Sequence, residues 1–583
     1  MVVPPGGAMG VSTSMDRKLL EMAQAKRPAQ TVFRGAEVLN VFTGEWLKGD
    51  VAVSDGVIVG VGRYEGEEEI DCRGKALVPG FIDAHLHVES SMLTPAALAA
   101  EVLPSGTTAL IADPHEIANV CGLPGLRYML DAARALPLSL FIMLPSCVPA
   151  TKWEQGGAVL DAASLATLRD DPQVLGLGEV MDYPAVCAGD PGLLAKLEAF
   201  SGRMIDGHAP LLSGGGLQAY RLAGIETDHE CSDGMETLEK LRAGFAVLVR
   251  EGSAAHNLET ILTAVQAAGI GTDRLAFCTD DKHSEDIRRE GHIRHNIRRA
   301  IALGIPAADA YRMASWNAAR IYGLRGCGAI GPGYRADLVL LNDKQEAAVH
   351  AVYTGGIRRW REGEPIPAPA GIPIPAELRG TVHVRPSGQL WNIQSLALPV
   401  PPDGVMPVIE LIPRQINTRR RDLPVPQRDG FFAAGGDFLK AAVLERHHAT
   451  GRIGLGVVKG LGLRGTAAST VAHDSHNLIV LGDRDEDMLL AVQELERCGG
   501  GYTLVRDGRA LATLPLPVAG LMTDRPADEV NGLLRRMSAL SRELGVPEWF
   551  DPFQTMSFLS LPVIPELRLT DRGVFDVGEQ RYL

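Results

Sequence analysis

Pro79-Gly80-Phe81-Ile82-Asp83-Ala84-His85-Leu86-His87 is the stretch on which the fold turns, a short apolar run that ends in two histidines one residue apart. On a strand, side chains alternate between faces, so His85 and His87 share a face and converge on one point. Working outward, the pattern recurs. Apolar runs at 77–82, 108–111, 138–144, 174–177, 204–205, 224–225, 245–249 and 275–278 are each followed by a segment compatible with helix. Strand then helix, eight times within about 250 residues, predicts an α/β chain built on a (β/α)8 TIM-like barrel, with its chemistry at the C-terminal ends of the strands.

Short β-type runs separated by turns occupy the flanks. They fall at 31–33, 38–41, 50–53 and 57–60, with Asp55-Gly56 as a hairpin signal, and return at 336–341 and 349–353. One small split β-sandwich domain, 28–78 with 328–364, is therefore expected around a barrel at 79–327. Residues 1–27 form an N-terminal tail, with a short amphipathic run at 19–25. Five prolines within 365–375 predict a stiff linker. Beyond it, 376–583 mixes strands such as 477–481 with helical patterns at 486–497 and 527–543, an additional α/β C-terminal domain.

Composition excludes several classes of function. The 583 residues carry 57 Lys+Arg against 71 Asp+Glu, a net charge of −14, which argues against nucleic acid as the main partner. With 46% hydrophobic residues, the chain is globular rather than disordered. No stretch approaches the roughly 18 apolar residues of a membrane span. The N-terminus lacks the basic flank and apolar core of a secretory signal. Eight scattered cysteines form no C-x-x-C pair, so a cytoplasmic location with reduced thiols is expected. Gly460-Leu461-Gly462-Leu463-Arg464-Gly465 satisfies G-x-G-x-x-G, but no long helix follows to hold a pyrophosphate.

The polar residues at the strand ends carry the chemistry. They are Asp83-Ala84-His85-Leu86-His87 with Glu89 and Ser90, then Asp113-Pro114-His115-Glu116, Gly178-Glu179 and Asp206-Gly207-His208, and finally Thr227-Asp228-His229-Glu230 and Thr279-Asp280-Asp281-Lys282-His283. Six of the 15 histidines stand there, and metal binding is the physical explanation. Glu179 would bridge an ion on His85 and His87 to a second on His208 and His229, with Asp280 capping the first. Imidazole and carboxylate together suit Zn, Mn or Fe(II). By contrast, His292 and His295 lie in a charged run at 286–299 expected to be a solvated helix face. His447-His448 and His473-x-x-His476 have metal-like spacing, but no third donor is evident.

The opening stretch resembles the signature of the amidohydrolase superfamily. Val88-Glu89-Ser90-Ser91-Met92-Leu93-Thr94-Pro95 and Ala112-Asp113-Pro114-His115-Glu116-Ile117-Ala118-Asn119 resemble one branch of it, the adenine deaminases. Ser146-Cys147-Val148-Pro149-Ala150-Thr151, Gly176-Leu177-Gly178-Glu179-Val180-Met181-Asp182-Tyr183 and Cys278-Thr279-Asp280-Asp281-Lys282-His283 are similar to the same family. The resemblance implies hydrolytic deamination of adenine to hypoxanthine and ammonia at a binuclear Mn(II) or Fe(II) centre, with Zn admissible. It implies His85, His87, Glu179, His208, His229 and Asp280 as ligands. Asp280 is expected to shuttle the proton, with Glu116 and His283 as further catalytic groups. Glu89, His115 and Asp281 are expected to orient ligands or hold an extra metal. Two departures from the family pattern are His256, where an Arg is expected near the end of strand seven, and Ser284, where a Pro is expected. A homo-oligomer acting on a small purine is expected, with no nucleic acid or membrane partner. The alternative is a sister amidohydrolase acting on another aminated ring or a cyclic amide.

Overall fold

One long strand, Ala29–Asn40 (β1), replaces the two runs expected at 31–33 and 38–41. Its pairing with Glu45–Ser54 (β2) slips between Phe33 and Ala36, a bulge that carries one strand across the interruption in the apolar pattern. The chain is described here by a computed structural model covering residues 17–253, 255–366, 371–386 and 392–583. Part of the expected 365–375 linker, including Pro367 and Pro369, lies outside the described residues, as does the tail up to residue 16. Asp55 and Gly56, with φ of 52° and 78°, turn β2 into Val57–Gly62 (β3), the mirror-image turn that matches hairpin twist. Gly66–Asp71 (β4) and Ala76–Pro79 (β5) run parallel to β1.

The run at 77–82 is divided at Gly80, and Phe81–Leu86 (β6) begins the barrel. Thr107–Ala112 (β7), Ser139–Leu144 (β8), Val174–Val180 (β9) and Met204–Gly207 (β10) follow in parallel order. Thr227–Asp228 (β11), Ala246–Arg250 (β12) and Leu275–Cys278 (β13) make the second arc. The sixth strand is thus displaced from 224–225, because Gly224, at φ 101°, is still turning. Hydrogen bonds join the arcs: Glu226 N–H donates to the Ile205 carbonyl (3.0 Å), and Asp280 N–H donates to the His85 carbonyl (3.0 Å). Ile82, Ala84, Ile111, Phe141, Leu248 and Cys278 fill the interior, while Phe81, Leu110, Leu140, Val247 and Phe277 face the helices. Strands buried on both faces are what a parallel sheet requires.

After the barrel, Leu338–Asp343 (β14) pairs antiparallel with β5, and Ala348–Thr354 (β15) and Ile357–Arg361 (β16) complete one sheet with the strands before it. The C-terminal unit is an eight-stranded sheet running from Val405–Leu411 to Arg509–Pro515, with helices Asp485–Cys498, Ala527–Glu543 and Pro552–Leu559. Residues 460–465 join strands Ile453–Lys459 and Thr466–Ser469 without a helix. The unit is tied to the barrel mouth, where Thr523 N–H donates to the Met92 carbonyl (2.9 Å) and Ser284 Oγ to Asn531 Oδ1 (2.5 Å). Among the described residues no helix is long and apolar enough to cross a membrane.

The expected solvated face at 286–299 is corrected. Gly291, at φ 90°, breaks the run into helices Ser284–Glu290 and Ile293–Ala302, and Ile293, Asn296, Ile297 and Ala300 turn inward at helical spacing. His292, at the break, is buried, with Nδ1 3.0 Å from Thr107 Oγ1 and Nε2 3.0 Å from Asp83 Oδ2. Asp83 also accepts the Thr279 N–H (3.1 Å) and O–H (2.5 Å), latching the first barrel strand to the last. Asp83→Ala strips a partner from four buried groups at once: the Thr279 N–H and O–H, His292 Nε2 and the His85 N–H. We expect it to lower unfolding free energy by about 2–4 kcal/mol, read from urea denaturation; a loss below about 1 kcal/mol would show the latch to be incidental.

Candidate metal centre

Simple alternation along β6 would not point His85 inward, because Ile82 and Ala84 already occupy the interior face. The β6–β7 ladder slips between Asp83 and Leu86, and beyond the slip His85 and His87 face the barrel axis. There Glu179 receives them. Its Oε1 lies 3.6 Å from His85 Nε2 and 3.3 Å from His87 Nε2, while Oε2 lies 2.7 Å from His208 Nδ1 and 3.4 Å from His229 Nε2. Asp280 Oδ1 is 3.0 Å from His87 Nε2 and 3.6 Å from His85 Nε2. The rings of His85 and His229 stack at 4.1 Å. All six residues expected as ligands therefore meet in one buried cluster.

The backbone beneath them is arranged to hold these positions. A β-carbon at residue 178 would overlap the Asp113 carboxylate, so only glycine lets Asp113 Oδ2 accept the Glu179 N–H at 2.9 Å. Ser146 Oγ donates to the Glu179 carbonyl at 2.6 Å. His87 Nδ1 is 2.9 Å from the Asp113 carbonyl, which places its proton there and leaves the Nε2 lone pair for the site. Asp280 adopts a left-handed backbone, φ 55°, a conformation Asp tolerates better than most residues. Its Oδ2 accepts from Arg250 Nη1 at 2.8 Å, and Arg250 Nη2 donates to Glu230 Oε2 at 3.1 Å.

The electrostatics call for cations. Burial works to raise the Glu179 pKa, but His115, His208 and His229 hold it well below the usual carboxylate range. Asp280 behaves alike, with His85, His87 and Arg250 outweighing burial. Both are buried carboxylates. Meanwhile both ring nitrogens of His85 and His229 Nδ1 are buried without a hydrogen-bond partner. Orphaned donors and acceptors are uncommon in folded proteins unless a ligand completes them. Three-residue groups whose donor atoms lie within 4.8 Å of one another are His85–His87–Asp280, His85–Glu179–His229, His87–His115–Glu179 and His208–His229–Glu230. The donor set fits divalent metal ions.

Beside this cluster is a small, partly open cavity. The barrel lines it with Glu89, Ser90, Asp281 and His283. Glu116 does not line it. It lies behind Ser90, whose Oγ is 3.3 Å from Glu116 Oε1 and also bonds Asp281. Burial pushes Glu116 well above its ordinary pKa, with Glu89 and Asp281 adding to the effect, and burial raises Glu89 as well. Glu89 Oε1 accepts the Ile117 N–H at 3.0 Å, and Oε2 has no partner. His115 reaches Glu179 Oε1 at 3.3 Å through Nδ1 and Asp474 Oδ1 at 3.8 Å through Nε2.

Two families of profile match the chain, the amidohydrolase family over residues 76–358 and the adenine deaminase C-terminal domain over 415–581. The adenine deaminase of Desulfitobacterium hafniense (strain Y51) is 46% identical over 568 residues, covering 97% of this chain and 98% of that protein. That of Nitratidesulfovibrio vulgaris (strain Hildenborough) is 48% identical over 566 residues, covering 96% and 97% respectively. The chain belongs to the adenine deaminase family.

Several residues of this family member's site escape a sequence reading. Arg250 stands one position past the apolar run at 245–249 and brings a guanidinium to the end of strand seven, whereas His256 is exposed and pairs with Glu251 at 3.1 Å. Glu230 directly follows His229, and that adjacency was its only signal. The expectation that His473 and His476 find no third donor is corrected, since Glu116 closes within 4.8 Å of both. That trio is nevertheless a poor metal site. His476 Nδ1 accepts the Ala472 N–H at 3.2 Å, so the proton of the neutral ring sits on Nε2, which cannot then ligate.

The orphaned donors of the main cluster predict a large response to metal. For chelator-stripped protein, Mn(II) at 100 times its dissociation constant should add about 2.7 kcal/mol per site, seen as a rise in Tm. An unmoved Tm would mean that these donors do not take the ion.

Proposed function

We propose that the chain hydrolyses adenine to hypoxanthine and ammonia. The observation that carries the reading is Glu179, whose two oxygens each face a separate pair of histidines beside an acidic cavity, in a chain of this family. On this reading His85, His87, Glu179, His208, His229 and Asp280 hold two divalent cations, Mn(II) or Fe(II) by preference, with Zn(II) admissible. When bound, such a pair lowers the pKa of water from about 15.7 toward about 7 and so supplies a nucleophile at neutral pH.

The remaining chemistry belongs to side chains. Asp280 takes up a proton at Oδ1 and passes it to the departing amine, with Oδ2 pinned by Arg250 so that one oxygen does the transfer. A ring nitrogen gains a proton as C6 becomes tetrahedral. Glu89 suits that role, because it borders the cavity, carries an unpartnered Oε2 and has a pKa raised by burial. Glu116 acts on it from behind through Ser90, Asp281 shares the same hydroxyl, and His283 bounds the ring's position. His115 steadies Glu179. The overall balance is adenine plus water giving hypoxanthine plus ammonia.

We further propose a cytoplasmic homo-oligomer, divided as 28–78 with 328–364, the barrel at 79–327, a connector at 365–375 and a C-terminal domain at 376–583. The decisive experiment combines metal analysis with the ultraviolet shift from adenine to hypoxanthine. Wild type should hold two ions per chain and convert adenine. Glu179→Gln should drop to one ion or fewer and lose about 100-fold or more in turnover. Mn-loaded wild type that leaves adenine untouched refutes the reading.

A further inference from the structure

The cavity beside the cluster has two chemically different walls, and they come from different parts of the chain. The barrel side is acidic, with Glu89 and Asp281. The opposite side belongs to the C-terminal unit and is aromatic, with His473, Tyr502 and Phe558, together with the amide of Gln554. Helix Pro552–Leu559 organises that wall. Asp551 caps it, its carboxylate accepting the N–H groups of Phe553 and Gln554, each at 2.9 Å. Residues four apart share a helix face, so Gln554 and Phe558 look the same way, and that face borders the cavity. The Phe558 ring lies 4.8 Å from that of His473, and Tyr502 stacks on Phe553 at 4.3 Å, which fixes the wall.

Gln554 is the unexplained member. Its side-chain amide makes no hydrogen bond to any described residue, although it is half-buried and borders this cavity. A carboxamide offers one acceptor and one donor side by side, and it pairs with a base edge presenting the complementary couple. On the adenine reading, the amine must approach Asp280 and Glu179. The edge left for the far wall then carries ring N3, an acceptor, beside N9–H, a donor.

We propose that the C-terminal unit is the specificity wall of the base cavity, and that Gln554 reads the N3/N9–H edge of a free purine base. A substituent on N9 removes the donor and adds bulk against helix Pro552–Leu559, so nucleosides and 9-alkyl purines are rejected. The proposal rests on the adenine reading and deepens it.

The test compares kcat and KM for adenine and 9-methyladenine in Mn-loaded wild type, Gln554→Ala and Gln554→Met, with metal content measured alongside. Wild type should prefer adenine by about 100-fold or more. One lost hydrogen bond of about 1.4 kcal/mol corresponds to about tenfold, so each variant should raise KM for adenine about tenfold and narrow the preference to a similar extent. Two ions per chain and a kcat within about twofold of wild type should remain. The nearly isosteric methionine keeps the wall filled should alanine loosen the helix. An unchanged preference in both variants, or a fall confined to kcat, overturns the assignment of Gln554. Wild type inert toward adenine would instead overturn the reading on which it rests.

Discussion

A carboxylate buried among imidazoles governs the barrel's C-terminal end. Glu179 is 1% exposed, and an ionised carboxyl in such a place is strongly unfavourable unless positive charge accompanies it. Neutral histidines offer hydrogen bonds but no charge. The arrangement of five imidazoles around two oxygens, with Asp280 adding a second negative group, is therefore stable only with cations between the donors or with protons on the rings. His229 responds in that direction, its pKa pushed up to about 9 because Glu179 and Asp280 outweigh burial. The same electrostatic demand that protonates a ring in the bare protein draws a divalent ion when one is present.

That demand is built into the closure of the barrel. Asp280 donates its N–H to the His85 carbonyl, so one of the ring's two seams is made by residues that also carry donor side chains. Just below, Asp83 latches Thr279 and His292 across the same seam. The residues that close the first strand on the last thus also carry or adjoin the donor side chains. On the other side, Asp113 serves two donors at once: its carboxylate sets the Glu179 backbone and its carbonyl sets the His87 tautomer. A change at either place is felt at every donor.

The ends of the strands were legible because the polar clusters interrupt apolar runs at points that a barrel brings together, and His85-x-His87 declares itself over three residues. Boundaries were harder. The two-residue strand Thr227–Asp228 has no periodicity of its own and exists because its neighbours supply the ladder. The slip that turns His85 inward is a property of the β6–β7 register, which no single strand encodes. Arg250 escaped because a run of apolar residues ends, to the eye, before its last member. His292 was misread since its neighbours Arg294, Arg298 and Arg299 dominate the local composition, while the inward stripe is carried by Ile293, Asn296 and Ile297. Least legible was the C-terminal contribution: nothing local to His473 or Asp474 says that each lies against His115 or Glu116, more than 300 residues away in the chain.

Division of labour between the two units has a physical rationale. Most loops at the barrel's mouth are committed to charge, presenting an imidazole, a carboxylate or the guanidinium that neutralises one. Side chains of that kind cannot also supply a flat, dry surface for an aromatic ring. Phe558, Tyr502 and His473 supply that surface from the C-terminal unit, where Phe558 packs against His473 and Tyr502 stacks on Phe553. The second unit, docked through Thr523 and Asn531, adds an apolar side to a cavity whose barrel side is polar.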